Sequence, residues 1–180
     1  METHEHTAFV RPLFSRETIR KRVAEIGSSI SADFREITEE NPLCLVVVLK
    51  GAFIFAADLV RYIRVPCTID FLSASSYGKE MISSGDVTIR HALSVQSRHV
   101  LLIEDIVDTG LTIQRISALL SAQSPASLGI CTLLDKPSER KHPVRIAYSG
   151  FTVPDRFIVG YGIDHAERFR QLPFIGILDS

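Results

Sequence analysis

Two acidic residues and a turn rich in hydroxyls follow one short apolar stretch of the sequence. After residues 100–103 come Glu104 and Asp105, and soon afterwards the pentapeptide Asp108, Thr109, Gly110, Leu111 and Thr112. A turn of this kind that opens a helix offers free N–H groups, hydroxyls and the helix dipole to a phosphate monoester. The adjacent carboxylates would repel that anion unless they bind sugar hydroxyls and a Mg²⁺ ion. The pattern predicts a sugar-phosphate site, although a bare Asp-Thr-Gly is more often an ordinary turn.

The elements around these residues alternate between helix and strand. Apolar residues repeat at three- or four-residue spacing from Ile19 to Ile37, after a capping Ser15, which predicts a helix that ends before Pro42. The continuous apolar run at residues 43–49 is typical of a strand covered on both faces. Further strands are predicted at residues 67–72, 100–103, 127–134, 146–149 and 157–159, further helices at 53–63 and 112–122, a loop or hairpin at 73–91, and an apolar end at 173–178. This order predicts a parallel α/β sheet, whose ligands gather at the carboxyl ends of the strands.

Composition argues against several classes of protein. The 180 residues suffice for one domain with its own core, and 20 Lys plus Arg against 21 Asp plus Glu leave a net charge of -1. We therefore expect neither nucleic acid nor a membrane as a partner, and no apolar run approaches the roughly 20 residues of a transmembrane helix. Cysteines without paired spacing predict buried reduced thiols in a cytoplasmic protein. The polar residues 1–12 are expected to form a loose tail.

Residues 100–112 resemble the phosphoribosyl pyrophosphate motif of the type I phosphoribosyltransferases. That motif has four apolar residues, two acids, two apolar residues and Asp-Thr-Gly-x-Thr, and every position matches. Over residues 43–178 the chain is similar to the hypoxanthine-guanine branch of that family. The resemblance implies a single domain over residues 1–180, with a mainly parallel five-stranded sheet flanked by helices. It also implies a small hood from the N- and C-terminal segments and a flexible lid at residues 73–91.

The same resemblance assigns the two ends of the phosphoribosyl pyrophosphate substrate. The ribose 5-phosphate would bind residues 108–112. The pyrophosphate would bind Lys50, Gly51 and Arg170, and a cis peptide between Lys50 and Gly51 would turn a backbone N–H toward it. Taken alone, Lys50 and Arg170 would be ordinary solvated charges and Gly51 an ordinary turn residue.

The resemblance also implies a purine site near the C-terminus. Lys136 would donate a hydrogen bond to the exocyclic O6 of the base, and Phe157 would stack on its ring. The backbone carbonyls of Ile158 and Asp164 would read the edge that differs between guanine and hypoxanthine. Without the resemblance, Lys136 would be interpreted as a surface charge and Phe157 as a core residue.

Metal ligands and a lid complete the implied site. Glu104 and Asp105 would orient the ribose and its Mg²⁺, and Asp164 would reach a second Mg²⁺. Ser76 and Tyr77 would lie in the lid that closes over the reacting ribose and excludes water.

These assignments imply purine salvage, in which a 5-phosphoribosyl group moves from phosphoribosyl pyrophosphate to hypoxanthine or guanine. Asp108 lies two residues before Gly110, hence near the sugar, and is the candidate general base for the proton on purine N7. Relatives usually form homodimers or homotetramers, through helices and strands near the pyrophosphate loop at residues 49–53, and we expect the same here.

Two positions depart from the family's pattern. Leu111 stands where many eukaryotic relatives carry Lys, and since the turn binds mainly through backbone groups, this should alter affinity more than the reaction. Gly162 is a small residue beside the base site that could loosen selectivity. The preference among hypoxanthine, guanine and xanthine therefore stays open.

Two alternatives belong to other classes of protein. One is an RNA-binding regulator of pyrimidine operons that shares the fold and retains uracil phosphoribosyltransferase activity. Lys136, the Phe157 segment and the lack of a basic excess argue against it. The other is a non-catalytic α/β interaction domain, which formation of inosine monophosphate would exclude.

Overall fold

The computed structural model describes residues 10–74, 87–88 and 93–179. Its strands are β1 (Val10–Phe14), β2 (Leu43–Leu49), β3 (Cys67–Ala74), β4 (Val87–Thr88), β5 (His99–Val107), β6 (Ser127–Asp135), β7 (Tyr148–Thr152), β8 (Ile158–Val159) and β9 (Ile175–Leu178). The helices are α1 (Arg16–Asp33), α2 (Phe53–Val60) and α3 (Leu111–Ser121), with one 3₁₀ turn at Pro137–Glu139. Within these ranges no helix combines the length and apolar character needed to cross a bilayer.

The larger sheet has the strand order β4-β3-β2-β5-β6-β7. Strands β3, β2, β5, β6 and β7 run parallel, and β4 pairs antiparallel with β3. The predicted mainly parallel five-stranded sheet is thus confirmed, with β4 added at its edge. The β3–β4 pairing also confirms that a hairpin begins in the segment predicted as a loop or hairpin.

Two apolar cores cover the two faces of this sheet. Alternate residues of β2 belong to different cores, because successive side chains of a strand point to opposite faces. On one face, α1 and α2 pack with Leu43, Leu45 and Val47. On the other face, α3 packs with Cys44, Val46 and Val48. Burial on both faces explains why β2 reads as a continuous apolar run.

Helix α1 begins where the sequence predicts. The Ser15 hydroxyl accepts a hydrogen bond from the Thr18 N–H at 3.2 Å, as an N-cap does. The residues repeating at three- and four-residue spacing, Ile19, Val23, Ile26 and Ile30, are buried. They attach the helix to the sheet face that also receives α2.

A second sheet of three strands, in the order β1-β9-β8, forms the predicted hood. Its β1 pairs antiparallel with β9, starting with Val10 opposite Leu178. The predicted loose tail at residues 1–12 is therefore wrong for residues 10–12, which are part of a strand; residues 1–9 lie outside the described ranges. A partner strand at the far end of the chain leaves no local signal in the sequence.

Other boundaries differ from prediction by a few residues. The strand predicted at 100–103 continues to Val107, so Glu104 and Asp105 lie inside β5 rather than after it. Pairing with β6 carries it on, with Glu104 opposite Thr132 and Val107 opposite Asp135. Backbone pairing rather than side-chain polarity decides where a strand ends.

Two more elements show small shifts of the same kind. Helix α2 ends at Val60 instead of at residue 63. The strand predicted at 146–149 is Tyr148–Thr152. Both predictions identified the element and missed its limits.

Candidate active site

The turn after β5 requires a glycine. Gly110 has φ +86°, in the left-handed region that side chains other than glycine rarely adopt. A Cβ on it would lie 2.6 Å from the carbonyl oxygen of His142. Helix α3 begins at the next residue, Leu111, and the first turn of a helix directs N–H groups that lack helical partners toward whatever lies before it. The turn therefore has the form of an anion site at the carboxyl end of a central strand.

A second segment supports this turn from behind. The Thr109 carbonyl oxygen accepts hydrogen bonds from the N–H groups of Lys141 at 3.0 Å and His142 at 2.9 Å. Arg140 donates from Nε to the Asp108 carbonyl at 2.9 Å and from Nη2 to the Val107 carbonyl at 3.0 Å. Sequence reasoning missed Arg140, since an arginine beyond a lysine-proline turn carries no local sign of its target.

Glu104 and Asp105 lie in β5, a few residues before the turn. Glu104 is buried, with 6% of its surface exposed, and Asp105 is half-buried. The Asp105 N–H donates to Glu104 Oε1 at 3.3 Å. Burial first, and the neighbouring Asp105 charge second, raise the pKa of Glu104 well above its ordinary value.

The loop after β2 reaches the acid pair. A Cβ on Gly51 would collide with the Asp105 carboxylate, so the predicted pyrophosphate loop and the predicted metal ligand are in contact. The cis peptide lies between Leu49 and Lys50, one bond before the predicted position between Lys50 and Gly51. That prediction is wrong because sequence similarity marks the residues of a loop and not which of its bonds is cis.

Two predicted pyrophosphate ligands that lie far apart in the sequence both contact Glu167. Lys50 Nζ lies 3.2 Å from Glu167 Oε1, and Arg170 Nη2 lies 3.4 Å from Glu167 Oε2 and 2.7 Å from Asp164 Oδ1. The hydrogen bond from Lys50 lowers the pKa of Glu167. Lys50, Arg170 and Asp164, three of the residues that the resemblance assigns to the site, are thus brought together. Glu167 was missed, because no pattern distinguishes it from an ordinary surface acid.

Backbone geometry holds the segment that carries Arg170. Gly162 has φ +102°, and a Cβ on it would collide with the Gly51 carbonyl oxygen. The Gly162 carbonyl in turn accepts a hydrogen bond from Arg170 Nη1 at 2.8 Å. The sequence linked Gly162 to base selectivity. The structure gives it a separate reason, the close approach of two backbones.

Lys136 lies at the end of β6, beside the turn after β5. Its N–H donates to the Val107 carbonyl at 3.0 Å. Only 9% of its surface is exposed, and its Nζ pairs with Asp155 Oδ1 at 2.7 Å. The interpretation of Lys136 as a plain surface charge is therefore excluded.

Phe157 is 69% exposed and contacts the His165 ring edge-on, with ring centroids 5.7 Å apart. The interpretation of Phe157 as a core residue is excluded as well. Ile158 follows as a buried residue of β8, paired with Ile177 of β9. The hood thus presents an aromatic ring that is free to stack on a planar ligand.

Asp155 and Glu139 lie beside Lys136, and the sequence assigned neither of them a role. The hydrogen bond from Lys136 lowers the pKa of Asp155. The pKa of Glu139 is raised by its hydrogen bond to Asp155 and by the negative charge of Asp155. Asp155 therefore stays ionised and holds the Lys136 amine in place. The predicted lid residues Ser76 and Tyr77 lie outside the described ranges.

Comparison with known proteins identifies the family. Residues 15–166 match the family model described as the phosphoribosyl transferase domain. The chain belongs to the phosphoribosyltransferase family. It is 45% identical over 166 residues to the hypoxanthine phosphoribosyltransferase of Haemophilus influenzae, covering 91% of this chain and 92% of that relative. It is 46% identical over 171 residues to the hypoxanthine-guanine phosphoribosyltransferase of Mycobacterium tuberculosis, covering 93% and 85%.

Solved phosphoribosyltransferase structures share the whole fold. The hypoxanthine-guanine phosphoribosyltransferase of Bacillus anthracis aligns with a TM-score of 0.84 and 42% identity, over 93% of this chain and 98% of that one. The hypoxanthine phosphoribosyltransferase of Trypanosoma cruzi, in complex with the product IMP, aligns with a TM-score of 0.87 and 37% identity, over 95% of each chain.

The donor set suits a metal shared with a phosphoribosyltransferase substrate. Across residues 10–74, 87–88 and 93–179, no group of three or more His, Cys, Asp or Glu side chains could hold a metal ion. The predicted ligands Glu104, Asp105 and Asp164 thus do not form one cluster. Mg²⁺ commonly binds one or two carboxylates and takes its remaining ligands from substrate phosphates and water. The adjacent carboxylates of Glu104 and Asp105, one of them buried, fit an ion of that kind.

Proposed function

We propose that this phosphoribosyltransferase moves the 5-phosphoribosyl group from phosphoribosyl pyrophosphate to hypoxanthine or guanine. The products are inosine or guanosine monophosphate and pyrophosphate, as in purine salvage. One observation carries the proposal: Lys136 and the turn at residues 108–112, here called the phosphate turn, lie at the ends of adjacent parallel strands. These ends are joined by the 3.0 Å hydrogen bond from the Lys136 N–H to the Val107 carbonyl. A donor for an exocyclic oxygen and a site for a sugar phosphate are therefore neighbours. The names of the relatives support the same substrates.

Phosphoribosyl pyrophosphate would lie across the carboxyl ends of β5 and β2. The backbone N–H groups and hydroxyls of residues 108–112 would bind its 5-phosphate. Lys50, Gly51 and Arg170 would gather its pyrophosphate, with the planar Arg170 fork suited to two phosphate oxygens at once. The contact between Gly51 and the Asp105 carboxylate supports this arrangement, since it sets the pyrophosphate loop beside the ribose ligands.

Glu104 and Asp105 would hold Mg²⁺ and the ribose hydroxyls, and Asp164 would hold a second Mg²⁺ beside Arg170. When bound, the metal neutralises charge on the departing pyrophosphate. The buried Glu104 supports this role. A carboxyl group with a pKa raised by burial gains most when a cation or a hydroxyl donor reaches it.

The base would bind on the other side of the ribose. Lys136 would donate to O6, Phe157 would stack on the ring, and the carbonyls of Ile158 and Asp164 would read the remaining edge. A purine ring nitrogen forms the new bond to C1, the bond from C1 to the pyrophosphate oxygen breaks, and pyrophosphate leaves with the electron pair. Asp108 would accept the proton from N7.

The remaining assignments concern the whole chain. Residues 1–180 would form one domain, with the lid at 73–91 bringing Ser76 and Tyr77 over the reacting ribose. The protein would act in the cytoplasm as a homodimer or homotetramer. Neither nucleic acid nor a membrane is proposed as a partner.

A spectrophotometric assay tests the proposal. The purified protein is incubated with phosphoribosyl pyrophosphate, Mg²⁺ and, in turn, hypoxanthine, guanine, xanthine and adenine. Hypoxanthine or guanine should be converted to the nucleotide, whereas adenine should not react because it has no carbonyl for Lys136. Failure with both hypoxanthine and guanine, or efficient use of adenine, would refute the proposed function.

A further inference from the structure

We propose that Arg140 is a positioning residue, which holds the phosphate turn in the geometry that binds phosphoribosyl pyrophosphate. The inference rests on the proposed function and adds a residue to it. Arg140 is mostly buried, with 17% of its side chain exposed. It would act through the backbone of the turn and not by touching the substrate.

Three hydrogen-bond acceptors surround the Arg140 guanidinium. Nε donates to the Asp108 carbonyl at 2.9 Å, Nη2 donates to the Val107 carbonyl at 3.0 Å, and Nη2 also pairs with the Asp135 carboxylate. The two carbonyls belong to the last residue of β5 and the first residue of the turn. Because Asp135 lies opposite Val107 in the sheet, the guanidinium binds the ends of both strands together.

The two residues that follow Arg140 contact the same turn. Its neighbours Lys141 and His142 donate their N–H groups to the Thr109 carbonyl. Gly110 also packs against this segment, because a Cβ on Gly110 would lie 3.0 Å from Arg140 Cδ. The segment 140–142 thus fixes the direction of the Asp108 and Thr109 carbonyls, which point toward it. Each peptide plane is rigid, so fixing the Asp108 and Thr109 carbonyls also orients the N–H groups of Thr109 and Gly110 in the same planes.

Arg140 also joins the phosphate turn to the base side of the site. Its N–H closes the 3₁₀ turn by donating to the Pro137 carbonyl at 3.2 Å, and that turn follows Lys136 directly. The hexapeptide from Asp135 to Arg140 therefore carries the proposed base-binding amine of Lys136 near one end. At its other end is the Arg140 guanidinium that holds the phosphate turn, which we call the clamp. A lysine could not replace the clamp, because its ammonium is a point charge without the rigid fork that meets three acceptors at once.

Kinetics of Arg140→Ala and Arg140→Lys test the inference, measured with hypoxanthine, phosphoribosyl pyrophosphate and Mg²⁺. We expect Arg140→Ala to raise the KM for phosphoribosyl pyrophosphate about tenfold or more, and Arg140→Lys to raise it by a smaller factor. The KM for hypoxanthine should stay within about twofold. In Asp135→Asn, Arg140 keeps its hydrogen bonds to both carbonyls, so this variant should raise the KM for phosphoribosyl pyrophosphate least. It can be measured even if Arg140→Ala fails to fold.

Arg22 provides a matched control. Its guanidinium also donates to two backbone carbonyls, Ser149 at 2.7 Å and Gly150 at 2.9 Å, and pairs with the Glu25 carboxylate at 2.9 Å. None of these partners belongs to the proposed site. Arg22→Ala should lower Tm to an extent comparable with Arg140→Ala and leave the KM for phosphoribosyl pyrophosphate unchanged. Equal KM increases in the two variants, or none in Arg140→Ala, would overturn the inference.

A binding measurement separates this inference from the proposed function. Ribose 5-phosphate is titrated calorimetrically into the wild-type protein and into Arg140→Lys. Weaker binding by the variant supports the clamp even if the wild type forms no nucleotide from either base, an outcome that refutes only the proposed function. Equal affinities for ribose 5-phosphate would refute the clamp while leaving a positive nucleotide assay standing.

Discussion

Charged side chains in the candidate site hold one another through ion pairs. Lys136 pairs with Asp155 at 2.7 Å, and Arg170 pairs with Asp164 at the same distance. These pairs keep long side chains in defined positions, which reduces the conformational entropy lost when a substrate binds. A bound substrate must then exchange contacts with residues that are already engaged.

Glu167 illustrates that exchange, because its carboxylate lies between the two cations proposed to bind pyrophosphate. Glu167→Gln removes the competing negative charge, so the KM for phosphoribosyl pyrophosphate should fall by about two- to fivefold, a small change because exposed ion pairs are weak. Steady-state kinetics measure this. Glu36→Gln, in an exposed acid that pairs with Arg35, should have no effect. A higher KM in Glu167→Gln would show that Glu167 assists binding instead.

Asp108 is the residue on which the proposed proton transfer depends. Asp108→Asn keeps the size of the side chain and removes its ability to accept a proton. We expect kcat to fall by roughly 10²-fold, the lower end of the range for general base catalysis, with a much smaller change in the affinity for phosphoribosyl pyrophosphate. Single-turnover kinetics and equilibrium binding separate the two quantities. Full activity in this variant would remove Asp108 from the role of base.

Glu104 should make the metal-free protein less stable as the pH rises. Burial and the Asp105 charge raise its pKa in the folded protein well above the ordinary value of 4.5, so the folded state retains a proton that the unfolded state loses. This protonation favours folding most at low pH. The stability it contributes declines above about pH 4.5, with a slope of at most about 1.4 kcal/mol per pH unit.

In the variant Glu104→Gln, the side chain can neither bind nor release this proton. Its free energy of unfolding relative to wild type should therefore increase as the pH rises above about 4.5. Urea unfolding in EDTA at several pH values gives the difference between the two proteins. A difference that is constant with pH would contradict the raised pKa.

The phosphate turn links β5 to α3. A left-handed Gly110 is what lets the chain leave the central strand and start the helix within a few residues. The segment 140–142 packs against that glycine from outside. The turn is therefore shaped by a loop distant in sequence as much as by its own residues.

Gly110→Ala should disrupt this link. An alanine at φ +86° costs about 1–3 kcal/mol in backbone strain, and its Cβ would lie 2.6 Å from the His142 carbonyl oxygen. We expect a loss of stability of that size and at least tenfold weaker binding of phosphoribosyl pyrophosphate. Gly129→Ala is the control, because the nearest contact of its Cβ would be a Leu101 methyl at 3.2 Å. Equal stability and binding in Gly110→Ala and wild type would contradict this account of the turn.

An apolar surface beside α2 is exposed among the described residues. Phe53, Ile69 and Phe71 are 44%, 43% and 55% exposed, and they border a cavity of about 220 Å³ between α2 and the sheet. Phe53 lies three residues after Lys50, near the pyrophosphate loop. An exposed apolar surface of this kind favours association, which agrees with the proposed homodimer or homotetramer.

Phe71→Glu tests whether this surface joins two copies of the chain. A charge in the buried centre of an interface costs several kcal/mol, so the variant should sediment as a smaller species than the wild type in analytical ultracentrifugation. Leu119→Glu is the control, since Leu119 is 44% exposed on α3, which covers the opposite face of the sheet. A monomeric wild type, or equal effects of both variants, would contradict pairing through Phe71.

Much of this protein follows from the sequence by itself. The helix after Ser15, the buried run of β2 and the Asp-Thr-Gly-Leu-Thr turn are local patterns, in which residues within a few positions of one another decide the outcome. Side chains at fixed spacing report which face is buried, and a glycine between hydroxyl residues reports a turn. The order of elements then indicates a parallel sheet and the edge where the site forms.

Other features depend on residues far apart in the chain, and the tertiary structure alone decides them. Pairing of residues 10–12 with β9, the meeting of Lys50 with Glu167, and the grip of Arg140 on the Asp108 carbonyl all join distant segments. The sheet brings these groups together because parallel strands end at a common edge. A local sequence pattern can predict which residues lie at that edge. Which of them contact one another depends on the packing of the whole chain.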